Sequence, residues 1–373
     1  MERGYIKIKP FGGLFFGKGR PFNMGDETWT EAELLPPPGV VWGMLASQLY
    51  YTNGHIPPKP EKFKIGPPML LGRDNTFSSL CLPAPLDIFI SPDDEKYHHT
   101  FFWERKKIKD GQEALRFINH QNARVLIEPH ALQEVESPEK QLIAWGDLFE
   151  GYISETSKVS FGFSLKSIDQ AIATEFKIGI GRDAATRTAE ESKLFTVQLS
   201  HLIEDGAILV EYENQTGSAL PENGLVKLGG EGKMAAYELM PNESVLVQEI
   251  EKRKAAWESD KETHDFFKAV ALMPLPLNEN GLPIALQHSG FEILGGVTGK
   301  PISIGGFDFH ERRPKPLKQY APAGSVWVLW AKSGSCTAAD VQAQLKKQNE
   351  EEDIVNPFMN AFQIFSYHFI KKL

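Results

Sequence analysis

The sequence predicts an α+β fold built on antiparallel sheets, and three observations carry that prediction. Strand-like and helix-like stretches are interleaved along the chain with irregular insertions between them. The link from Arg182 to Ser192, between two strand-like runs, is too short to hold a crossover helix beside its turns, so a hairpin is expected there. The 373 residues are 41% hydrophobic and 24% charged, ordinary globular composition with enough apolar mass for a sizeable core.

Taken in order, residues 5–9 alternate, with Tyr5 and Lys7 on one side and Ile6 and Ile8 on the other, as in a strand. A glycine-rich loop follows from Gly12 to Gly19. Pro36-Pro37-Pro38 leads into a helix over roughly Val40 to Tyr51, which sets Val41, Leu45 and Leu49 on one face and stops at Asn53-Gly54. Short strands are expected near 63–71 and 80–90. The span 92–140 is charged and patternless and reads as an insertion. Glu175–Gly181 and Lys193–Leu199 form the hairpin, and Ile208–Tyr212 is a further strand. Glu243 to about Met273 reads as a long helical stretch closed by Pro274 and Pro276. Strands follow at 291–294, 301–309 and 325–331. Thr337 caps a helix, with Asp340 three positions later in a box-like arrangement. After Asn356-Pro357, the residues Phe358, Phe362, Phe365 and Phe369 recur at helical spacing, which predicts an amphipathic helix with an aromatic face.

Charge and cysteine content narrow the function classes. The net charge is −9, against the basic balance of most free-standing nucleic-acid binders, so any such role needs a local cationic groove in an acidic shell. Only Cys81 and Cys336 are present, which supports neither a disulfide framework nor a cysteine zinc site, and no metal or cofactor is expected. There is no apolar region after Met1-Glu2-Arg3-Gly4 and no long apolar run, so a cytoplasmic chain without membrane contact is expected.

Several motifs imitate known chemistry. Gly12 to Lys18 spells G-x-x-x-x-G-K, but Gly19 stands where a P-loop needs a magnesium-binding hydroxyl. Gly179 to Ala184 matches G-x-G-x-x-A, but the next strand arrives before a dinucleotide fold could place its helix. Adjacent His98 and His99 point apart in a strand and lack helical spacing for shared ligation, while His288 and His310 stand alone.

Glycine combined with basic residues is the more informative pattern, because glycine lets backbone N–H groups approach a phosphate closely. Gly17-Lys18-Gly19-Arg20-Pro21-Phe22 is the first such segment. Ile178 to Phe195, carrying Arg182 and Arg187, is the second. Leu228-Gly229-Gly230-Glu231-Gly232-Lys233 is the third, and the basic run with Arg312, Arg313 and Lys315 is a fourth. In the same order, these segments resemble the motifs of a known family. It is the RAMP (repeat-associated mysterious protein) subunit of the type III-B CRISPR Cmr module that caps the guide-RNA end. The family string G-I-x-x-D-x-x-T-x-T-A-E-E-G-x-L-Y stands here as Gly179-Ile180, Asp183, Thr186, Thr188 to Ser192 and Leu194-Phe195. The family's G-G-E-G stands at Gly229 to Gly232, its R-R-P-K at Arg312–Lys315 and its P-A-G-S-V at Pro322–Val326. Met44-Leu45-Ala46 stands where the family usually has an arginine, and no second glycine-rich loop closes the chain.

The resemblance implies two ferredoxin-like (RRM-like) domains. The first, 1–240, would carry the 92–140 insertion and a projecting hairpin at about 178–199. The second, 241–373, would end in the aromatic helix. It implies a non-catalytic subunit of an antiviral ribonucleoprotein that binds the repeat-derived 5′ tag of the guide RNA. Its protein partners would be the large polymerase-like subunit and a backbone RAMP subunit. The expected RNA contacts are Lys18, Arg20, Arg182, Thr186, Arg187, Thr188, Gly229, Gly230, Lys233, Arg312 and Arg313. Two alternatives stand beside it. One is a metal-independent endoribonuclease, for which His98, His99 and His310 are the candidate general bases. The other is a structural adaptor.

Overall fold

Alternation in the first strand has a direct structural result, because both of its faces are covered. The computed structural model describes residues 1–17, 29–30, 33–90, 97–99, 105–107, 113–115, 138–150, 152, 165–183, 185–305, 307–308, 313–314, 316–351 and 358–366. Strand β1 (Glu2–Pro10) buries Ile6 and Ile8 on one face, in a cluster with Val41, Leu45 and Leu49 of helix α1 (Pro38–Thr52). Pro38 sits in the first turn of α1, where a missing N–H costs nothing. The Asn53 amide donates to the Leu49 carbonyl to close the helix, and Gly54 follows at φ +60°.

The large sheet has nine strands, and β1 is central to it. On one side β1 pairs with Ala207–Asn214, which in turn pairs with Phe63–Ile65 and Met69–Leu71. Beyond these lie Leu80–Pro83, Gln141–Ala144 and Leu165–Ser167. On the other side β1 pairs with Met234–Met240, which pairs with the edge strand Asn223–Lys227. Every one of these pairings is antiparallel. Helices cover both faces of this sheet. Tyr5 and Leu209, on the face away from α1, pack with Leu246, Val247 and Ile250 of helix α2 (Val245–Glu258).

The C-terminal sheet has the order Phe291–Val297, Val326–Ala331, Phe266–Ala271, Phe362–Ser366, again all antiparallel. One of its faces packs Phe267, Leu329 and Ile364 against Val341 and Leu345 of helix α3 (Ala338–Glu351). Its other face sends Val270, Val326 and Phe365 into the cluster that holds Tyr5, so the two sheets share a core. Buried Lys268 places Nζ 2.7 Å from Asp87, whose carboxylate also lies 2.8 Å from the Tyr152 hydroxyl, tying the halves together inside that core.

Two element assignments are overturned. Within the expected aromatic helix, Phe362–Ser366 is a strand, with Phe362 3% and Phe365 1% exposed on opposite faces, while Asn356, Pro357 and Phe369 lie outside the described residues. A strand buried on both sides carries apolar residues without a period of two, so phenylalanines at helical spacing fit it equally well. The stretch from Glu243 to Met273 is also not one helix. It ends at Glu258, crosses a polar link and becomes the strand Phe266–Ala271, whose run FFKAVA is buried throughout its last five positions. The capping box at α3 forms as expected: the Asp340 amide donates to Thr337 Oγ1 at 3.1 Å, and the Thr337 hydroxyl donates to the Asp340 carboxylate at 2.8 Å. The insertion at 92–140 lies outside the described residues except for its short strand pieces and Pro138–Lys140.

Candidate nucleic-acid interface

Residues 11–17, the base of a two-stranded arm near Ser200 and the glycine segment Leu228 to Lys233 meet at one end of the large sheet, whereas the segment Ile178 to Phe195 lies out along that arm and only Gly17 of the first glycine segment is among the described residues. After β1, residues 11–17 turn back across the sheet end. Leu14 exchanges backbone hydrogen bonds with Ser200, at 2.8 and 2.9 Å. Gly13 is pressed against His201, where a Cβ would sit 2.5 Å from the ring Nε2. Gly230 donates its amide to the Phe15 carbonyl at 2.9 Å, and a Cβ on Gly229 would lie 2.5 Å from that same carbonyl oxygen. Buried Leu14 and Phe16 anchor the crossing.

The loop from Leu228 to Lys233 owes its glycines first to its own geometry. Gly229 and Gly232 have φ of +84° and +64°, a region where a side chain is strained. Glu231 shares that region at +56°. The Leu228 amide donates to the Lys233 carbonyl at 2.9 Å, closing the turn, while Gly230, Glu231 and Gly232 remain exposed. The side chain of Lys233 is partly exposed beside them.

From that junction a two-stranded arm extends. Strands Ile172–Arg182 and Ala189–Leu202 pair antiparallel from Ile172↔Leu202 to Arg182↔Ala189, with a bulge between Ile180 and Arg182. At about 3.3 Å per residue, the run from Ser200 to Ala189 spans about 35 Å, so the tip is remote from the glycine loops at the base. Gly179 lies under the Phe195 ring, where a Cβ would be 2.3 Å from a ring carbon. On the other face Phe176, Ile178 and Ile180 form a stripe, each more than half exposed. The sequence carried that stripe as alternation, but the usual inference from alternation, a core-facing side, fails for an arm that leaves the body.

At the tip, Arg182, Thr186, Arg187 and Thr188 are all exposed. The two threonine hydroxyls are engaged locally: Thr186 Oγ1 donates to Asp183 Oδ1 at 2.9 Å and lies 2.8 Å from Thr188 Oγ1. Arg182 Nε donates to the Arg187 carbonyl at 3.3 Å. Arg313 belongs to a separate short pairing, Arg313–Pro314 with Phe307–Asp308. Lys18, Arg20 and Arg312 lie outside the described residues, as does His310. His98 and His99 lie in a short strand paired with Ile88–Ile90, and the description there extends to backbone alone. Where the resembled family has an arginine, Met44, Leu45 and Ala46 are buried in the core of α1, positions unfit for a phosphate contact. Among the described residues, no group of three or more His, Cys, Asp or Glu side chains is placed to hold a metal ion, and no helix is long and apolar enough to cross a membrane.

Comparison with known proteins agrees with this architecture. A family described as "CRISPR-associated protein (Cas_Cmr3)" matches residues 6–353. No curated protein matches the chain. Among solved structures, the chain is similar to a chain of the Type III-B Cmr-beta bound to cognate target RNA, with a TM-score of 0.51 at 16% identity, over 96% of each chain. It is also similar to a chain of Cmr-beta bound to cognate target RNA and AMPPnP in state 1. That match has a TM-score of 0.50 at 17% identity, over 96% of this chain and 95% of that one. At such identities the likeness is one of fold.

Proposed function

This chain belongs to the Cas_Cmr3 family of CRISPR-associated proteins, and from that premise we propose that it is a non-catalytic, RNA-gripping subunit of a type III-B CRISPR ribonucleoprotein. In this reading it holds the 5′ tag of the guide RNA and joins the large polymerase-like subunit to the backbone. The observation that carries the proposal is the junction where residues 11–17, the base of the 172–202 arm and the Leu228–Lys233 loop come together through Leu14–Ser200 and Gly230–Phe15. The exposed backbone of Glu231 and Gly232 and the Lys233 ammonium offer N–H groups and positive charge at that junction, the Gly230 amide being engaged by the Phe15 carbonyl. The arm offers a second contact about 35 Å away, with Arg182 and Arg187 at its end and apolar side chains along it. Those side chains suit unstacked bases, since single-stranded RNA is read from bases splayed out of a stack. Phosphate contacts at the two ends would set the register of the strand.

Binding of labelled single-stranded guide RNA to the purified chain, measured across salt concentrations, tests the proposal. Arg182→Ala and Lys233→Ala should each weaken binding and make the salt slope shallower by about 0.7 per lost phosphate contact. Wild-type affinity and slope in both variants would refute the assignment of RNA to these surfaces. Cleavage of a repeat RNA by the wild-type chain, lost in His98→Ala or His310→Ala, would replace this reading with the endoribonuclease one.

A further inference from the structure

The tip of the arm is held together by its own residues. The Asp183 amide donates to the Thr188 carbonyl at 3.0 Å, and the Arg187 amide donates to the Asp183 carbonyl at 2.9 Å. A single carboxylate oxygen, Asp183 Oδ1, then accepts from the Ala185 amide at 2.9 Å, the Thr186 amide at 2.6 Å and the Thr186 hydroxyl at 2.9 Å. Thr188 joins through the Thr186 hydroxyl, and Arg182 Nε through the Arg187 carbonyl. With the base of the arm about 35 Å away, local bonding has to supply the turn's shape.

One residue in this turn is conformationally out of place. Arg187 has φ +57°, a left-handed backbone that glycine adopts freely and an L side chain only at a cost. The arm uses glycine nearby, at Gly179 and Gly181, but not at 187. An arginine kept where the backbone favours glycine points to a use for the side chain itself.

We propose that Asp183 is the positioning residue of the arm. Its carboxylate templates the turn that holds Arg187 in the left-handed conformation, so that the Arg187 and Arg182 guanidinium groups are presented together to a sugar–phosphate backbone. The proposal rests on the RNA-binding reading above for its ligand, but its structural half does not. The motif residues Asp183, Thr186 and Thr188 then serve the shape of the tip, and the two arginines make the contact. The bond from Arg182 uses Nε, and the two terminal amino groups of that guanidinium take no part in it. What Oδ1 supplies is acceptor capacity, which an asparagine carbonyl also has.

Three variants of the full-length chain test this, each followed by amide hydrogen exchange at residues 185–187 and by binding of fluorescein-labelled single-stranded guide RNA. Asp183→Asn keeps the acceptor and should leave exchange and binding near wild type. Asp183→Ala should speed exchange at these amides and weaken RNA binding, each by about tenfold, as expected for loss of a local hydrogen-bond acceptor. Arg187→Gly should leave exchange unchanged or slower, because glycine suits the backbone. It should still weaken binding and make the salt slope shallower by about 0.7. Unaltered exchange in Asp183→Ala would overturn the templating role. Wild-type RNA binding by Arg187→Gly, with exchange accelerated in Asp183→Ala, would leave the turn intact as a structure and overturn its assignment to RNA. A wild-type chain that binds no guide RNA, yet shows the exchange effect, would locate the failure in the proposed function.

Discussion

Removing the carboxylate of Asp87 should cost the protein a large part of its stability, and removing its partner charge as well should restore most of it. Asp87 is completely buried and the Lys268 side chain is 8% exposed. Their 2.7 Å separation corresponds to an attraction of about 6 kcal/mol at an effective dielectric constant of about 20. Taking two such ions out of water costs several kcal/mol each, so the pair is close to break-even against an apolar replacement. Asp87→Ala deletes the attraction and leaves Lys268 buried beside Tyr152, at an expected cost of about 3–5 kcal/mol. With an m-value of about 3 kcal/mol per molar urea, the unfolding midpoint should fall by about 1 to 1.7 M. In Asp87→Asn/Lys268→Met both charges of the pair are gone, and the Tyr152 hydroxyl keeps an amide oxygen to donate to. This double variant should unfold within about 0.5 M of wild type. Urea titration followed by the fluorescence of the 7 tryptophans measures both midpoints. A midpoint for Asp87→Ala within 0.3 M of wild type (~1 kcal/mol at that m-value), or a double variant no more stable than the single, would refute the reasoning.

Other expectations concern the same two halves and the site. Glu211 is buried and accepts from Arg3 Nε and Lys254 Nζ at 2.8 Å each and from Asn360 at 2.9 Å. Burial alone would raise its pKa, but the Lys254 and Arg3 charges and their hydrogen bonds outweigh it and hold the carboxyl below its ordinary 4.5. The stabilisation it gives is therefore complete above that ordinary value and drains away as pH falls through and below it. Urea midpoints taken from neutral pH downward should drop more steeply for wild type than for Glu211→Gln, and parallel curves would contradict this. Gly229→Ala meets both a φ of +84° and the Phe15 carbonyl, so it should destabilise the junction by about 1–3 kcal/mol and lower RNA affinity with it. Thr337→Ala removes the α3 cap and should lower stability by about 1 kcal/mol in the same urea assay.

The residues differ in how far the sequence alone could place them. The arm could be read from one number, the length of the link between two strand-like runs, because loop length limits topology. The Leu228–Lys233 turn could be read from glycine density, and the α3 start from Thr337 and Asp340, because both are local. The strands Phe266–Ala271 and Phe362–Ser366 could not, since burial on two faces erases the alternation that marks a strand. The Asp87–Lys268 pair and the Leu14–Ser200 pairing join residues nearly two hundred positions apart, and nothing in a single sequence signals such contacts. At the candidate site the sequence shows residue types but not their local bonding. Thr186 and Thr188 are expected RNA contacts, and in the structure their hydroxyls also bond within the turn, which no single-sequence signal shows.

The central place of β1 bears on how the chain reaches its final shape. Ile6 is flanked by Val210 on one side and Leu239 on the other, both about 200 residues away along the chain. During synthesis β1 therefore waits, with neither edge satisfied, until about 200 further residues have been made. Through that interval both edges of residues 2–10 are open to unwanted pairing, and a chaperone that shields this strand would protect them.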